Sequence, residues 1–129
     1  MSAWDVGLHG VRLLDEGALL VQYRGDVERT HASRIVELVK THLRDGWMLV
    51  DVREVGYIGQ EARRELTGLH NDVVSRARLI DVGFIGADLR TRVLMITLVA
   101  AATALHRVRV RVHFFDTHDE ATRAVSATR

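Results

Sequence analysis

The sequence contains no cysteine and no proline, and Lys40 is the single lysine among its 18 basic residues. Without cysteine, the chain can form no disulfide framework, no thiolate metal site and no cysteine nucleophile. Without proline, its turns must be shaped by glycine, aspartate and asparagine. The arginine fork suits carboxylate and phosphate partners. The arginines are nevertheless spread along the whole chain, a distribution that fits a general compositional bias better than one anion site.

The overall charge does not indicate a strongly charged binding partner. The formal net charge is +1, so no global field of either sign argues for nucleic acid. A length of 129 residues, 47% of them hydrophobic, fits one globular domain over residues 1–129. The start MSAWDVGLHG lacks the charged and apolar regions of a signal peptide. The longest apolar run, Val93–Leu105, is too short to span a bilayer. We therefore expect a soluble cytoplasmic protein without a membrane span.

A strand–turn–helix unit, Trp47–Leu69, organises the chain. The apolar run Met48–Val52 predicts a strand that ends in a charged, glycine-containing turn. A helix is then expected from about Gln60 to about Arg76, since its apolar residues recur at helical spacing. Those residues are Ala62, Leu66, Leu69 and Val73.

The segment before this unit predicts a hairpin and a helix. Strand-like runs at residues 10–14 and 18–24 flank an acidic turn that ends in Gly17. Asp26 is placed to cap a helix from about Val27 to Arg44, because its carboxylate can accept a free backbone N–H.

The segment after the unit repeats its form. We predict a strand at Arg78–Gly86, a helix capped by Asp88 and running to about His106, and a strand at Val108–Phe115. Thr117–Glu120 matches a capping box that begins a last helix reaching about Thr128. The order ββαβαβαβα predicts an α/β fold with a mostly parallel sheet flanked by helices.

This order resembles the STAS domain of anti-sigma-factor antagonists and its SpoIIAA-like and SEC14-like relatives, over about Val11 to Val125. Leu49-Val50-Asp51-Val52 takes the position of the family's strand, and Val55-Gly56-Tyr57-Ile58 that of the turn before its second helix. The ending HFFDTHDEATRAV looks like the SEC14-like branch. The resemblance implies a bacterial interaction domain, or in the SEC14-like branch a binder of a small apolar or lipid ligand.

The sequence departs from the family at the switch site. Classical antagonists carry Asp-Ser-Ser-Gly at the start of the second helix, where a kinase phosphorylates a serine. The matching residues here are Gly59, Gln60, Glu61 and Ala62, which offer no hydroxyl. The resemblance therefore implies a domain without phosphoserine switching. Glu61 either imitates the phosphorylated state or simply favours the first turn of a helix.

The loops after the parallel strands are the expected binding surface, since open α/β sheets bind ligands at the carboxyl ends of their strands. The predicted partner-binding residues are Tyr57, Gly59, Gln60, Glu61, Arg64, Asp88 and Arg90. A phosphate site at Gly86–Asp88, with Arg90 and Arg92 nearby, is disfavoured because Asp88 would occupy the same N–H donors and repel an anion.

The helix predicted over Leu89–Leu105 is apolar nearly all round, which indicates burial on more than one side. Core packing, an oligomer or partner interface, and an apolar ligand each explain this composition. The candidate face for an oligomer or an apolar ligand consists of Leu94, Leu98, Ala101 and Leu105.

The last strand has a polar face with Arg109, Arg111 and His113. Asp51, Arg53 and Asp81 are expected on the same face of neighbouring strands. Cross-strand charge pairs on a solvated sheet, or an anionic docking patch, would account for this pattern.

The sequence offers no catalytic or metal site. None of the seven histidines has metal-ligand spacing, and no serine lies on a nucleophile elbow. We expect a non-enzymatic module without cofactor that binds another protein or itself, in bacterial signalling or in complex assembly. The alternatives are binding of a small apolar or lipid ligand and self-association as a structural subunit.

Overall fold

The computed structural model describes residues 3–15, 17–43, 46–68, 79–106 and 109–128, with backbone alone for Gly68 and residues 102–106. Its strands are β1 (Ala3–Val6), β2 (His9–Leu13), β3 (Leu19–Val27), β4 (Gly46–Ile58), β5 (Leu79–Ile85) and β6 (Arg109–Phe115). Its helices are α1 (Arg29–His42), α2 (Gln60–Gly68), α3 (Leu89–His106) and α4 (His118–Ala127).

The strands form one sheet in the order β1-β2-β3-β4-β5-β6. The β1/β2 and β2/β3 pairs are antiparallel, whereas β3, β4, β5 and β6 pair in parallel. The predicted α/β class and mostly parallel sheet are confirmed. The sequence prediction missed β1, whose four residues are too few to show a clear alternation.

Helices cover both faces of the sheet. On one face, α1, α2 and α3 pack against a large apolar core formed by residues such as Val21, Val50 and Val82. On the other face, α4 is the one described helix that packs over a smaller cluster, which contains Leu20, Leu49 and Ile85. Because α4 has ten residues, it covers part of that face and leaves polar side chains beside it. Among the helices of the described ranges, none is both long enough and apolar enough to cross a membrane.

Two local predictions were wrong. The residue that caps α1 is Glu28, and its backbone N–H donates to Nδ1 of His31 at 3.2 Å. Asp26, the predicted cap, lies inside β3. The predicted turn at residues 55–58 is instead the last part of β4. Backbone pairing with β3 continues to Val27 opposite Ile58, and this long-range pairing overrides the local turn signal.

The remaining boundaries are close to the prediction. Asp88 caps α3 as expected, since its Oδ1 accepts the backbone N–H of Thr91 at 2.8 Å. Thr117 caps α4 by accepting the N–H of Glu120, but the Glu120 carboxylate accepts from the N–H of Asp116 rather than from that of Thr117. The predicted end of the second helix, with Leu69 and Val73, lies outside the described residues.

Candidate binding surface

The end of β4 presents Tyr57 to solvent, with 68% of the residue exposed. Two register shifts occur where β4 pairs with β3, the second between Gly25 and Val27. A β-bulge of this kind adds a residue to one strand and redirects its side chains. Gly56 also allows the close approach of the neighbouring strand, because a Cβ there would lie 2.9 Å from the backbone nitrogen of Asp26. Tyr57 is therefore held outside the core by backbone geometry.

Asp26 fixes the backbone of Tyr57. Its Oδ1 accepts the Tyr57 N–H at 2.8 Å. The same residue accepts a second bond through its carbonyl oxygen, from Nε2 of the buried His9 at 3.0 Å. Nδ1 of His9 accepts the N–H of Arg24 at 2.9 Å. Because Nδ1 is an acceptor, the neutral ring carries its proton on Nε2. His9 thus holds the end of β3, from which Asp26 reaches Tyr57.

A cation covers the ring of Tyr57 on the side of α2. The guanidinium carbon of Arg63 lies 5.9 Å from the ring centre, within cation–π range. Arg63 is itself positioned by the bond from its Nε to the carbonyl of Ile58 at 2.9 Å. Tyr57 and Arg63 thus form an ordered pair, although the sequence prediction did not include Arg63. The sequence did contain a signal for this pair: Arg63 is the fourth residue of a helix that follows an exposed aromatic residue.

The first turn of α2 offers no hydroxyl group. The carbonyl of Gly59 accepts the N–H of Arg63 at 2.9 Å and so begins the helix. Gln60, Glu61 and Arg64 are exposed, whereas Ala62 is buried. The carboxylate of Glu61 lies in the first turn, where the helix dipole favours negative charge.

The other two predicted binding residues lie on a different part of the molecule. Asp88 and Arg90 are exposed at the start of α3, just after β5 ends at Ile85. Ile85 pairs with Asp51, and Tyr57 lies further along β4 by six residues, about 20 Å. No hydrogen bond or ion pair within the described ranges joins the two groups.

The carboxylate of Asp88 also occupies the N-terminus of α3, as the sequence indicated. The bond from Thr91 lowers the pKa of Asp88, so the group is an anion at neutral pH. Arg92, the other cation considered for a phosphate site, lies over the ring of Phe114 at 5.1 Å.

The polar face of the sheet contains two matching clusters, each with one buried aspartate. Asp81 accepts two bonds from Arg111, at 2.7 and 2.9 Å, and lies 3.0 Å from Nε2 of His113. Burial alone would raise the pKa of Asp81, but the bonds and charges of Arg111 and His113 outweigh burial and lower it. The predicted cross-strand charge pair is therefore present.

The second cluster surrounds Asp51. Its carboxylate accepts bonds from Nε and a terminal nitrogen of Arg53, at 3.1 and 2.8 Å. Nε2 of His118 on α4 lies 2.7 Å from its Oδ2. The sequence prediction assigned His118 to a cap and missed this contact, which depends on how α4 docks. Among the described residues, no group of three His, Cys, Asp or Glu side chains is placed to hold a metal ion.

Of the four residues predicted to form an apolar face on α3, two are turned toward the core. Leu94 and Leu98 pack against the main core, and Leu98 lines a cavity of about 70 Å³ between the sheet and the helices. Ala101 is exposed, and the side chain of Leu105 lies outside the described residues. Among the described side chains of α3, the large exposed apolar residues are instead Leu89, Val93 and Ile96.

Comparison with known proteins supports the fold. No protein-family model matches the sequence, and no curated protein is significantly similar to it. Among solved structures, the chain resembles an uncharacterized protein of the DUF3478 family with a SpoIIAA-like fold from Shewanella loihica PV-4. The similarity covers 95% of this chain and 98% of that chain, with a TM-score of 0.62 and 14% sequence identity. The chain therefore has a SpoIIAA-like fold, as its resemblance to STAS domains implied.

Proposed function

We propose that the chain is a cytoplasmic, non-enzymatic protein-interaction module of STAS-like type, in bacterial signalling or complex assembly, without phosphoserine switching. The observation that carries the proposal is the ordered Tyr57–Arg63 pair on an exposed surface. Tyrosine and arginine are enriched among residues that dominate binding energy at interfaces. An aromatic side chain that is fixed before binding also loses less conformational entropy on complex formation.

The surroundings of this pair support recognition of a protein surface with both signs of charge. Glu61 and Arg64 flank it on α2, and Glu54 and Arg24 form an exposed ion pair at 3.5 Å on the adjoining strands. Both buried aspartates of the sheet are bound by arginine and histidine. In this proposal, the two carboxylates stabilise the fold and take no part in a reaction.

The proposal is tested by photocrosslinking. A photoreactive phenylalanine derivative replaces Tyr57 in bacterial cells that produce the protein, and a matched chain carries it at exposed Arg34 on α1. We expect one discrete adduct from position 57 and none from position 34. The crosslinked protein is then purified, and its affinity is measured for the wild type and for Tyr57→Ala. A loss of at least tenfold is expected, while equal affinities would refute the surface.

Glu61 is tested with the same purified partner. If its carboxylate imitates a phosphorylated, released state, then Glu61→Ala raises the affinity and Glu61→Asp leaves it near the wild-type value. If Glu61 only favours the first turn of α2, then Glu61→Ala leaves the affinity unchanged and lowers stability by about 0.3–1 kcal/mol.

A second function, binding of a small apolar ligand, is favoured by the cavity beside Leu98. The cavity of about 70 Å³ is lined by apolar side chains and by the buried Tyr23. Ligand pockets usually measure about 300–1,000 Å³, so this cavity would have to open. Native mass spectrometry of the freshly purified protein tests it. A reproducible mass increment that Leu98→Trp removes would support the ligand, and the bare chain mass in both would refute it.

A further inference from the structure

We infer that two copies of the chain associate reversibly through β6, with antiparallel pairing of the two β6 strands and contact between the two α3 helices. This inference does not depend on the Tyr57 surface. Two independent features meet on the same side of the molecule: a sheet edge with free backbone groups and a stripe of exposed apolar residues.

The first feature is the edge itself. Among the described strands, β6 pairs with β5 alone. The carbonyl of Phe115 accepts from the N–H of Gly86 at 2.8 Å and so points toward the β5 side. Backbone groups alternate in direction along a strand. The N–H and C=O groups of Val110, Val112 and Phe114 therefore point away from β5, toward the side on which no described strand pairs with β6.

The opposite edge is better protected. β1 has four residues, which include Trp4 and the exposed Asp5, and the Trp4 ring stacks on His42 at a ring distance of 4.1 Å. Short and charged edge strands discourage further pairing. β6 has seven residues, and its apolar side chains at positions 110, 112 and 114 are only half-buried. The core is thus open at the β6 edge.

The second feature is the exposed stripe on α3. Leu89, Val93 and Ile96 are 79%, 58% and 49% exposed. Arg92 marks the side of α3 that faces β6, since it contacts the ring of Phe114 and lies 3.8 Å from Asp116. Leu89 and Ile96 lie three residues before and four residues after Arg92, so they neighbour it on the helix surface. Leu89 and Ile96 therefore lie on the side of α3 nearest the β6 edge, whereas Val93, directly after Arg92, projects further round the helix.

The pattern of free backbone groups selects a register. If Val112 pairs with Val112 of the second copy, then Val110 lies opposite Phe114, and all three outward-pointing residues form hydrogen-bonded pairs. Antiparallel pairing in this register gives about six hydrogen bonds. Val110, Val112 and Phe114 of the two copies then join on the core side of the sheet, beside the two α3 stripes.

The charges are compatible with this arrangement. In this register, residue 109 lies opposite residue 115, so the exposed Arg109 of each copy lies next to the exposed Asp116 of the other. Arg111 would lie opposite His113 of the second copy. Both are already bonded to Asp81 within their own chain, and the Asp81 carboxylate offsets the charge of Arg111.

The available area indicates a reversible dimer. A seven-residue strand is about 23 Å long, and an 18-residue helix is about 27 Å long. Together, the sheet edge and one helix layer offer a face of roughly 25 Å by 20 Å, or about 500 Å², which is below the ~800 Å² per partner of a standard stable interface. A second copy fits the β6 edge because its own β6, running antiparallel, presents the same outward N–H and C=O groups.

The first test measures mass against concentration. In sedimentation equilibrium between about 1 µM and 1 mM, we expect the average mass to rise from 14.5 kDa toward twice that value. Ile96→Glu should weaken association at least tenfold. Leu8→Glu, at an exposed apolar residue between β1 and β2, is the matched control and should leave it unchanged. A wild type that stays monomeric throughout overturns the inference, as does a dimer that a folded Ile96→Glu variant leaves intact.

The second test measures the register of the paired strands by disulfide crosslinking. It also tests the dimer if Ile96→Glu fails to fold. The chain has no cysteine, so single cysteines report without background. In a hydrogen-bonded pair, Cα atoms are about 5.5 Å apart, which a disulfide can bridge. Val112→Cys should therefore crosslink to its copy under mild oxidation. Arg109→Cys, about 20 Å from its own copy in this register, should not. Equal crosslinking of both variants, or none at position 112, overturns the proposed pairing.

Discussion

His118 on α4 bonds to Asp51 in the middle of β4, with 2.7 Å between Nε2 and Oδ2. This contact joins the last helix to a strand 67 residues earlier in the chain. Burial alone would raise the pKa of Asp51, but the bonds from Arg53 and His118 and the charge of Arg53 outweigh burial and hold it well below its usual range. The carboxylate is therefore ionised, and His118 donates the hydrogen bond.

Asp51 makes the fold sensitive to acid. A carboxyl group with a depressed pKa in the folded state contributes stability above its unfolded pKa of about 3.9, and this contribution is lost as pH falls further. We predict that Asp51→Asn lowers the free energy of unfolding by about 1–3 kcal/mol at pH 7. Below pH 4 the difference from the wild type should shrink. Urea unfolding from pH 7 to pH 3 measures it, with Asp5→Asn on the exposed edge as control. A constant difference at every pH would contradict the assignment.

His9 adds a second acid-sensitive step at higher pH. Burial lowers its pKa, and the nearby His31 lowers it further, against the raising effect of the Asp26 carbonyl. The unfolded chain binds a proton at His9 below about pH 6.5, whereas the folded chain resists this. Stability should therefore fall as pH drops from 7 to 5.

The variant His9→Gln isolates that step. At pH 8 the variant should lower the free energy of unfolding by about 1 kcal/mol, because the substitution removes the hydrogen bonds of His9. It should also flatten the pH dependence of the unfolding free energy between pH 7 and pH 5. Parallel curves for variant and wild type would assign the slope to another group. The His31→Gln variant separates the influence of the neighbouring ring.

Gly86 is required where Arg53 crosses the end of β5. Its φ is +74°, and an added Cβ would overlap the Cγ of Arg53. Gly25 is a matched control, because its φ is +78° but a Cβ there would meet nothing within 4 Å. We predict that Gly25→Ala costs about 1 kcal/mol for backbone strain alone.

Gly86→Ala should cost at least about 1 kcal/mol more than Gly25→Ala, since Arg53 must move and weaken its bonds to Asp51. Thermal unfolding of both variants gives the comparison. Adding Arg53→Ala to each variant should remove the difference between them. If Gly86→Ala and Gly25→Ala lower stability equally while Arg53 is present, then the Arg53 side chain moves aside without an energetic cost.

The C-terminal end of α4 is tied to the sheet by an indole. Nε1 of the buried Trp47 donates to Oγ1 of Thr128 at 2.8 Å. Thr128→Val keeps the side-chain shape and leaves the indole N–H without this acceptor, so we expect a loss of about 1–2 kcal/mol. Chemical denaturation followed by Trp47 fluorescence in a Trp4→Phe background measures it. Thr128→Ser should retain most of the stability, and a similar loss in Thr128→Ser would point to packing instead.

The sequence alone determined the helices and strands wherever their pattern is local. Val108–Phe115 alternates in polarity, and β6 has its apolar and polar faces as predicted. Asp88 caps α3 because a cap needs only a side chain near its own backbone. The resemblance to STAS domains also predicted the fold correctly.

Tertiary structure decided the rest, because it depends on residues far apart in the chain. The length of β4, and with it the place of Tyr57, follows from pairing with β3 and from Asp26, 31 residues earlier. His118 meets Asp51 only because α4 folds back on the sheet. In a helix apolar on all sides, composition cannot show which side is free. The position of the sheet turns Leu94 and Leu98 inward and leaves Leu89, Val93 and Ile96 exposed.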